Sequence, residues 1–365
     1  MKNFSNIKIL ALILAYSSFA MADHHASSEH DSQTKYVTYS QLGNPADVLE
    51  VKKEASRALN SGEVRVKVLA APINPSDLLQ ISGNYGVDPV LPARPGSEGV
   101  GRVTEVSPEA KNLKVGQLVL LASGSTWAEE IVAPAEGFLP LPNLGPISAE
   151  VIEQLAMTAV NPLTALLMLT SYGDIKEGQW IAQSAANSAV GGYVIQLAKQ
   201  RGIKTVNIVR REGLADDLMA KGADVVLIDG PDLTAQIAKA TDNAPIMLAL
   251  DPVGGDTYGR LANSLGYGGT LVTYGVLSGK PATLDTGKVI FNDTRLRGFW
   301  LYKWYQTATM QEKQAAFGQV IPLIANGTLK ANIDSRFTVD QIKQAVARAW
   351  EGGRNGKVLI VPTPL

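Results

Sequence analysis

Chemistry in this chain is best sought at two places. One is a turn, AANSAVGGYVIQLAK, that follows the apolar run WIAQSA; the other is an arginine pair, Arg210 and Arg211, that closes the next run, TVNIV. A strand that enters a helix through small residues lets a pyrophosphate approach the backbone and meet the helix N-terminus, where free amides and the dipole favour anions. The glycines are incomplete: Ala189 stands where one is expected, and only Gly191 and Gly192 follow. Small residues also pack a helix onto a sheet, so the turn alone leaves both readings open. A dinucleotide fold for NAD places an acid after its second strand to hold the ribose diol, whereas one for NADP places arginine there to meet the extra phosphate. The competing reading of the arginines is a solvated pair at a helix start. Asp251 in LDPVGG and Tyr274 in VTYG close further apolar runs, at the edge where open α/β sheets hold ligands. Asp251 would serve equally as a turn residue.

What the chain lacks narrows the chemistry further. It has no cysteine, and its three histidines, His24, His25 and His30, share one polar stretch near the start. That excludes disulfides, thiolate nucleophiles and Cys-ligated zinc. A metal in the folded body would need oxygen ligands alone, and a general base there would not be imidazole. Lys and Arg number 33 against 34 Asp and Glu, for a net charge of -1, so no strong field favours nucleic acid or an anionic membrane. Small molecules are the expected partners.

The elements that must position these residues fall into blocks. Lys2 and Lys8 precede an apolar run, Ile9 to Tyr16, and Ala20-Met21-Ala22 ends it with a small-x-small pattern. Residues 1–22 therefore read as a signal peptide cleaved after Ala22 and too short to stay in a bilayer, which makes the mature chain periplasmic or secreted. Initiation at Met21 would instead leave it cytoplasmic. Residues 23–34 read as a disordered linker. Residues 35–155 carry short strands, YVTYS, DVLEVKK, EVRVKVLAAPI, GVGRVTEVS, QLVLLA and WAEEIVAP, between Gly, Pro and Asn punctuation. From 156 to 320 apolar runs alternate with amphipathic helices, the pattern of a doubly wound parallel sheet. A last helix and strand, VDQIKQAVARAWEGG and KVLIVP, lie in 321–365, which is expected to return to the first domain.

The segments INPSDLLQISGNYG, LPARPGSEGVGRV, VNPLTALLML, QSAANSAVGGYVIQLAK, TVNIVRREG, VTYG and RGFWL follow one another between about Tyr36 and Pro362. In that order they resemble the mitochondrial-type trans-2-enoyl-thioester reductases, in the zinc-independent branch of the medium-chain dehydrogenase/reductase superfamily that also holds quinone oxidoreductases. Zinc alcohol dehydrogenases carry Cys and His ligands, with Gly-His-Glu near the position of Gly96-Ser97-Glu98, and neither residue type stands in this chain's body.

The resemblance implies an α/β fold with a GroES-like β-rich catalytic domain and a doubly wound Rossmann domain, NADPH as cofactor, an acyl thioester as substrate, and a homodimer formed through the edge strand near LRGFWL. It implies that Tyr85 sits at the substrate carbonyl and that Asn161 lies close to the nicotinamide and acyl group. Asn187, Ser188, Ala189, Val190 and Gly191 would form the pyrophosphate turn, and Arg210, with Arg211 beside it, would meet the 2'-phosphate. The family's second arginine, two places after the first, is Glu212 here. Tyr274, Gly275, Val276 and Leu277 would line the cofactor; Phe299, Trp300 and Leu301 the acyl pocket; Lys357 would be a late cofactor contact. Plain alternatives stand beside these roles. Tyr85 could anchor a loop, Asn161 could cap the helix that begins at Pro162, and Phe299 and Trp300 could be core aromatics, as Trp127 is expected to be. The implied reaction is hydride transfer from NADPH to the β-carbon of an enoyl thioester, with Tyr85 donating to the thioester oxygen. Quinone or alkenal reduction, or NADPH binding without catalysis, are the alternatives.

Overall fold

The computed structural model describes residues 33–122 and 124–365. The expected signal peptide and most of the expected linker lie outside the described residues.

Alternating and doubly apolar runs make the strands of the first half: β1 (Gln33–Thr38), β2 (Glu50–Ala55), β3 (Glu63–Pro72), β4 (Gly99–Val106), β5 (Leu118–Leu121), β6 (Glu130–Pro134) and β7 (Phe138–Pro140). β1 and β2 form an antiparallel pair. β3 is the hub of a seven-stranded sheet, with β4 and β6 as antiparallel neighbours along most of its length. The second half contributes β8 (Trp180–Gln183), β9 (Lys204–Val209), β10 (Val225–Ile228), β11 (Ile246–Asp251), β12 (Leu265–Thr273) and β13 (Arg295–Gly298). These make a six-stranded, all-parallel sheet in the order β10-β9-β8-β11-β12-β13. This is the doubly wound order, and it reverses between β8 and β11, where open α/β sheets offer a crevice to ligands. β14 (Ile333–Phe337) and β15 (Lys357–Ile360) then carry the chain back, and β15 pairs antiparallel with the end of β3. The fold class expected from the runs and the resemblance is the one found.

The two halves share a core. Leu69, Ala70, Val100 and Leu120 pack in one cluster with Leu163, Leu166 and Met168 of the helix Asn161–Ser171, and with Ile181, Leu248 and Leu250 of the parallel sheet. That helix is buried on every side from Asn161 to Leu169, as a helix apolar all round must be. The polar residue at its first turn, Asn161, therefore has to find its hydrogen bonds inside the protein.

Several boundaries differ from the expected ones. β1 begins at Gln33, inside the expected linker, because Gln33 and Thr34 ladder onto Ala55 and Glu54, a backbone pairing that no side-chain pattern announces. DVLEVKK is not one strand: the Asn44 side chain accepts from Ala46 N at 3.2 Å and starts the short helix Pro45–Val48, after which β2 begins. The boundary at 320 falls inside the helix Met310–Ala325, which continues through Pro322. A residue before proline avoids helical backbone, yet the buried face Phe317, Val320, Ile321 and Ile324 holds this helix together across it. β13 ends its sheet as an open edge with all its residues exposed, at the place where pairing with a second copy is expected.

Close backbone packing fixes the turn after β8. The helix Ala189–Gln200 is capped by Ser188, whose Oγ accepts from Gly191 N at 3.1 Å. A Cβ on Gly191 would lie 2.5 Å from Ala186 O and 2.7 Å from its Cα, whereas one on Gly192 would meet nothing nearer than Lys221 Cδ at 3.8 Å. Gly191→Ala is thus expected to destabilise the protein by roughly 1–3 kcal/mol through overpacking. Gly192→Ala should stabilise it by about 0.5–1 kcal/mol, because alanine loses less backbone entropy in a helix. Urea titrations of both variants without cofactor check the two signs.

Candidate active site

A group of buried polar side chains meets where β15, the start of the helix Asn161–Ser171 and the loops flanking β3 and β4 converge. The Lys357 ammonium donates to Ile73 O at 2.8 Å and to Asn74 Oδ1 at 2.6 Å. Asn74 Nδ2 donates to Glu98 Oε1 at 2.9 Å, and Glu98 Oε2 accepts from Val160 N at 2.8 Å. Asn161 Nδ2 donates to Asn74 Oδ1 at 3.0 Å, so Asn161 does not cap its own helix. Asp77 closes the group: it lies in the first turn of the helix Pro75–Ile81 and accepts from Asn74 N at 2.8 Å. None of Asn74, Asp77, Glu98, Asn161 and Lys357 is more than 7% exposed. Burial pushes the Asp77 carboxyl up to about 6, against the pull of the Asn74 N–H. Burial likewise raises Glu98 and lowers Lys357, and the opposite charge of each restrains the shift of the other.

The turn residues lie at the switch point of the parallel sheet. Asn187 is exposed and Ser188, Ala189 and Val190 are half-buried at the helix N-terminus; among the described residues the amides of Ala189 and Val190 donate to nothing. Ala189 is the first residue of the helix and needs no glycine; the left-handed position of this turn is Ala185, at φ 48°. Asp251 is a turn residue: it accepts from Ser184 Oγ, from Gly254 N at 2.7 Å and from Val253 N at 3.2 Å. The segment Tyr274–Leu277 folds over it, with Tyr274 N on Asp251 O and Leu277 N on Pro252 O. Gly275 permits this, since a Cβ there would lie 2.9 Å from Pro252 O. Among the described residues the buried Tyr274 hydroxyl has no hydrogen-bond partner, and Val276 and Leu277 are exposed. Arg210 and Arg211 are exposed at the end of β9, the second strand of the parallel sheet, where Arg211 also reaches Gly353 O at 3.4 Å. Free amides at a helix N-terminus, an orphaned hydroxyl and an arginine after the second strand fit a phosphorylated dinucleotide.

Tyr85 and Trp300 form the third part. Trp300 Nε1 donates to Tyr85 Oη at 2.9 Å, and the rings meet edge to face with centroids 5.9 Å apart. Trp300 is 38% exposed and stacks on Tyr302, so it is no core residue. Phe299 is half-buried, edge-on to Tyr172 at 6.3 Å, and Leu301 begins the helix that Trp300 caps. Trp127 is packing, as expected, fully buried with its N–H on Pro72 O. The structure thus joins Tyr85 to Trp300, and Asn161 to Lys357 through Asn74. It turns the Lys357 ammonium inward, toward Ile73 and Asn74.

Residues 60–143 match the alcohol dehydrogenase GroES-like domain, and residues 189–319 match the zinc-binding dehydrogenase domain. The chain is 35% identical over 339 residues to the mitochondrial enoyl-[acyl-carrier-protein] reductase of Rattus norvegicus, covering 91% of this chain and 87% of the relative. The chain belongs to the mitochondrial enoyl-[acyl-carrier-protein] reductase family. Among solved structures, it resembles a complex of Etr1p, a mitochondrial 2-enoyl thioester reductase of Candida tropicalis, with NADP and crotonyl-CoA. That match has a TM-score of 0.82 and 28% identity over 90% of this chain and 100% of the other. A Bacillus thuringiensis protein provisionally named an NADPH:quinone reductase matches with a TM-score of 0.81 and 28% identity over 90% and 99%.

Within this enoyl reductase family member, the residues missed by sequence reasoning are Asn74, Asp77 and Glu98. Asn74 and Asp77 have the spacing of a helix-start box, and Glu98 is a lone acid between glycines, Gly96 and Gly99, that lead into an apolar strand. Those signals mark a helix start and a buried acid; neither says that they meet.

The raised Asp77 carboxyl makes stability depend on pH in a stated direction. The folded chain keeps this proton to higher pH than the unfolded chain, so the stability it supplies is present below about pH 4 and is lost as pH rises through about 6. Asp77→Asn removes the titration. The unfolding free energy of wild type minus that of Asp77→Asn should fall by roughly 2–3 kcal/mol between about pH 4 and 7. Urea denaturation of both proteins across that range measures it.

Proposed function

We propose that this protein is an NADPH-dependent reductase of the C=C bond of 2-enoyl thioesters that works without zinc. The observation that carries the reading is the polarity of the Tyr85–Trp300 hydrogen bond. An indole N–H can only donate, so the Tyr85 oxygen accepts and its own proton is left for another acceptor. Burial raises the Tyr85 pKa, with Trp300 opposing the shift, so the group is a neutral phenol at physiological pH. A developing thioester enolate needs such a preorganised O–H.

When bound, NADPH would supply the hydride that adds to the β-carbon, and a proton from Tyr85 or water at the α-carbon would complete the reduction. The chain's own residues hold and orient. The free amides at Ala189 and Val190 receive the pyrophosphate, Arg210 meets the 2'-phosphate, and the Tyr274–Leu277 segment closes over the strand ends. Tyr85 donates to the thioester oxygen from a wall of Phe299, Trp300 and Leu301, whose apolar surfaces suit an acyl chain. Relatives named as enoyl reductases along nearly their whole length support the substrate class. The zinc-free part rests on the absence of cysteine and on the position of every histidine before residue 31.

The Bacillus neighbour of equal identity makes quinone reduction the second reading, since a quinone oxygen would accept the same proton. With crotonyl-CoA and a chelator present, the purified protein should consume NADPH, and Tyr85→Phe should lose about 10²–10³ in turnover at unchanged melting temperature and NADPH affinity. Turnover of a benzoquinone with none on crotonyl-CoA would overturn the substrate class, and loss of activity to the chelator would overturn the zinc-free part.

Cofactor choice is tested separately by calorimetry. NADPH should bind at least about tenfold more tightly than NADH, the worth of one charge-assisted phosphate contact, and Arg210→Ala should erase most of that preference. Equal binding of the two cofactors by the wild type rejects the role of Arg210.

A further inference from the structure

A carboxamide in a protein interior costs free energy unless its hydrogen bonds are made, so a glutamine that ends an apolar strand needs a reason to be there. β8 ends on Gln183, which is fully buried, and both of its amide hydrogens are used. Nε2 donates to Gly191 O at 3.0 Å and to Asn207 Oδ1 at 2.8 Å. A carbonyl oxygen only accepts, so the atom that faces Gly191 O is the nitrogen. No group among the described residues donates to Gln183 Oε1. The side chain serves as a double donor.

Asn207 stands beside Gln183 in the parallel register of β8 and β9 and is buried as deeply. Its nitrogen donates to Val225 O at 3.1 Å and to Thr205 Oγ1 at 2.9 Å, which leaves its oxygen for Gln183. Thr205 is held in turn by Asp224, whose carboxylate accepts from Thr205 N at 2.8 Å. A first-turn carbonyl of the helix Ala189–Gln200 is thus tied through two side chains to β9. The backbone adds a second tie: Ala186 N donates to Ile208 O at 3.1 Å, while Ser184 N turns the other way, to Leu250 O of β11. Arg210 follows the last residue of β9. The strand that presents this arginine is the one to which the turn is fastened at two points.

We propose that Gln183 and Asn207 are positioning residues that set the spacing between two phosphate subsites, the free amides at Ala189 and Val190 and the guanidinium of Arg210, and that this spacing decides the preference for NADPH over NADH. The inference rests on the NADPH reading above. In NADPH the pyrophosphate and the 2'-phosphate hang from one ribose, whose ring fixes how far apart they lie. Both subsites act at full strength only when their separation is already matched to that ring, because any adjustment is taken from the binding free energy. NADH needs the turn alone. A nucleotide with the 2'-phosphate and no pyrophosphate needs Arg210 alone. Only the ligand that carries both groups senses the spacing.

The test is calorimetric binding of NADPH, NADH and adenosine 2'-monophosphate to the wild type and two variants. Gln183→Met keeps the length of the side chain and removes both donors. Asn207→Leu keeps the bond from Gln183 to Gly191 O and removes only the tie to β9. In each variant the preference for NADPH over NADH should fall from at least about tenfold to about threefold or less, while NADH and adenosine 2'-monophosphate bind within about twofold of wild type. Two variants are used because a carboxamide lost from a core can prevent folding; a wild-type melting temperature shows that a variant is folded, and either folded variant decides. A preference kept in full overturns the proposal. Equal weakening of NADPH and NADH overturns it as well, since the two residues would then only support the turn. So does adenosine 2'-monophosphate weakened as much as NADPH, because the damage would lie at Arg210 itself. A wild type with no preference between the cofactors rejects the reading of Arg210 on which the inference rests, and that result is separate from anything the variants do.

Discussion

A charged ammonium in the interior of a protein has to be met by acceptors on nearly every side, and Lys357 is met by Ile73 O and Asn74 Oδ1, with Glu98 close enough to hold its charge. Those groups come from two separate parts of the chain, and Lys357 from a third. Ile73 and Asn74 follow β3, Glu98 precedes β4, and through Val160 N the same carboxylate holds the start of the helix that fills the shared core. Removing any one group would leave a buried charge or a buried amide without a partner. The geometry of the junction between the two halves follows from satisfying this ammonium.

Two further parts of the site are built on the same principle of one-sided hydrogen bonding. An indole that can only donate sets the sense of the Tyr85 hydroxyl, and an ammonium that can only donate sets the sense of two amides. In both cases a residue with no choice of polarity decides the sense of its neighbour's hydrogen bonds.

Much of this was legible in the sequence. Apolar runs alternating with helices specified the doubly wound sheet, and Arg210, Asp251 and Tyr274 lie at the strand ends where the runs put them. The network was not legible, because its bonds join residues 24, 62, 87 and 283 positions apart, and no periodicity connects them. Backbone conformation was hidden too: the turn's left-handed residue is Ala185, while the missing glycine read at Ala189 is an ordinary helical position. Trp300 shows a third limit, since an aromatic residue carries the same letter in a core and at an exposed position.

The return of β15 to β3 has a consequence for the order of assembly. Lys357 reaches Ile73 and Asn74 across 284 and 283 residues, so during vectorial synthesis the carboxyls of Asp77 and Glu98 are made long before the charge that answers them. Until then, closing the junction would bury two acids with no counter-charge, and a proton on each is the only neutral solution. The first half can therefore collapse early only in a loosened or protonated form, and the arrival of a single four-residue strand, Lys357–Ile360, converts it. The contacts of greatest sequence separation in this network are therefore the ones that supply its counter-charge.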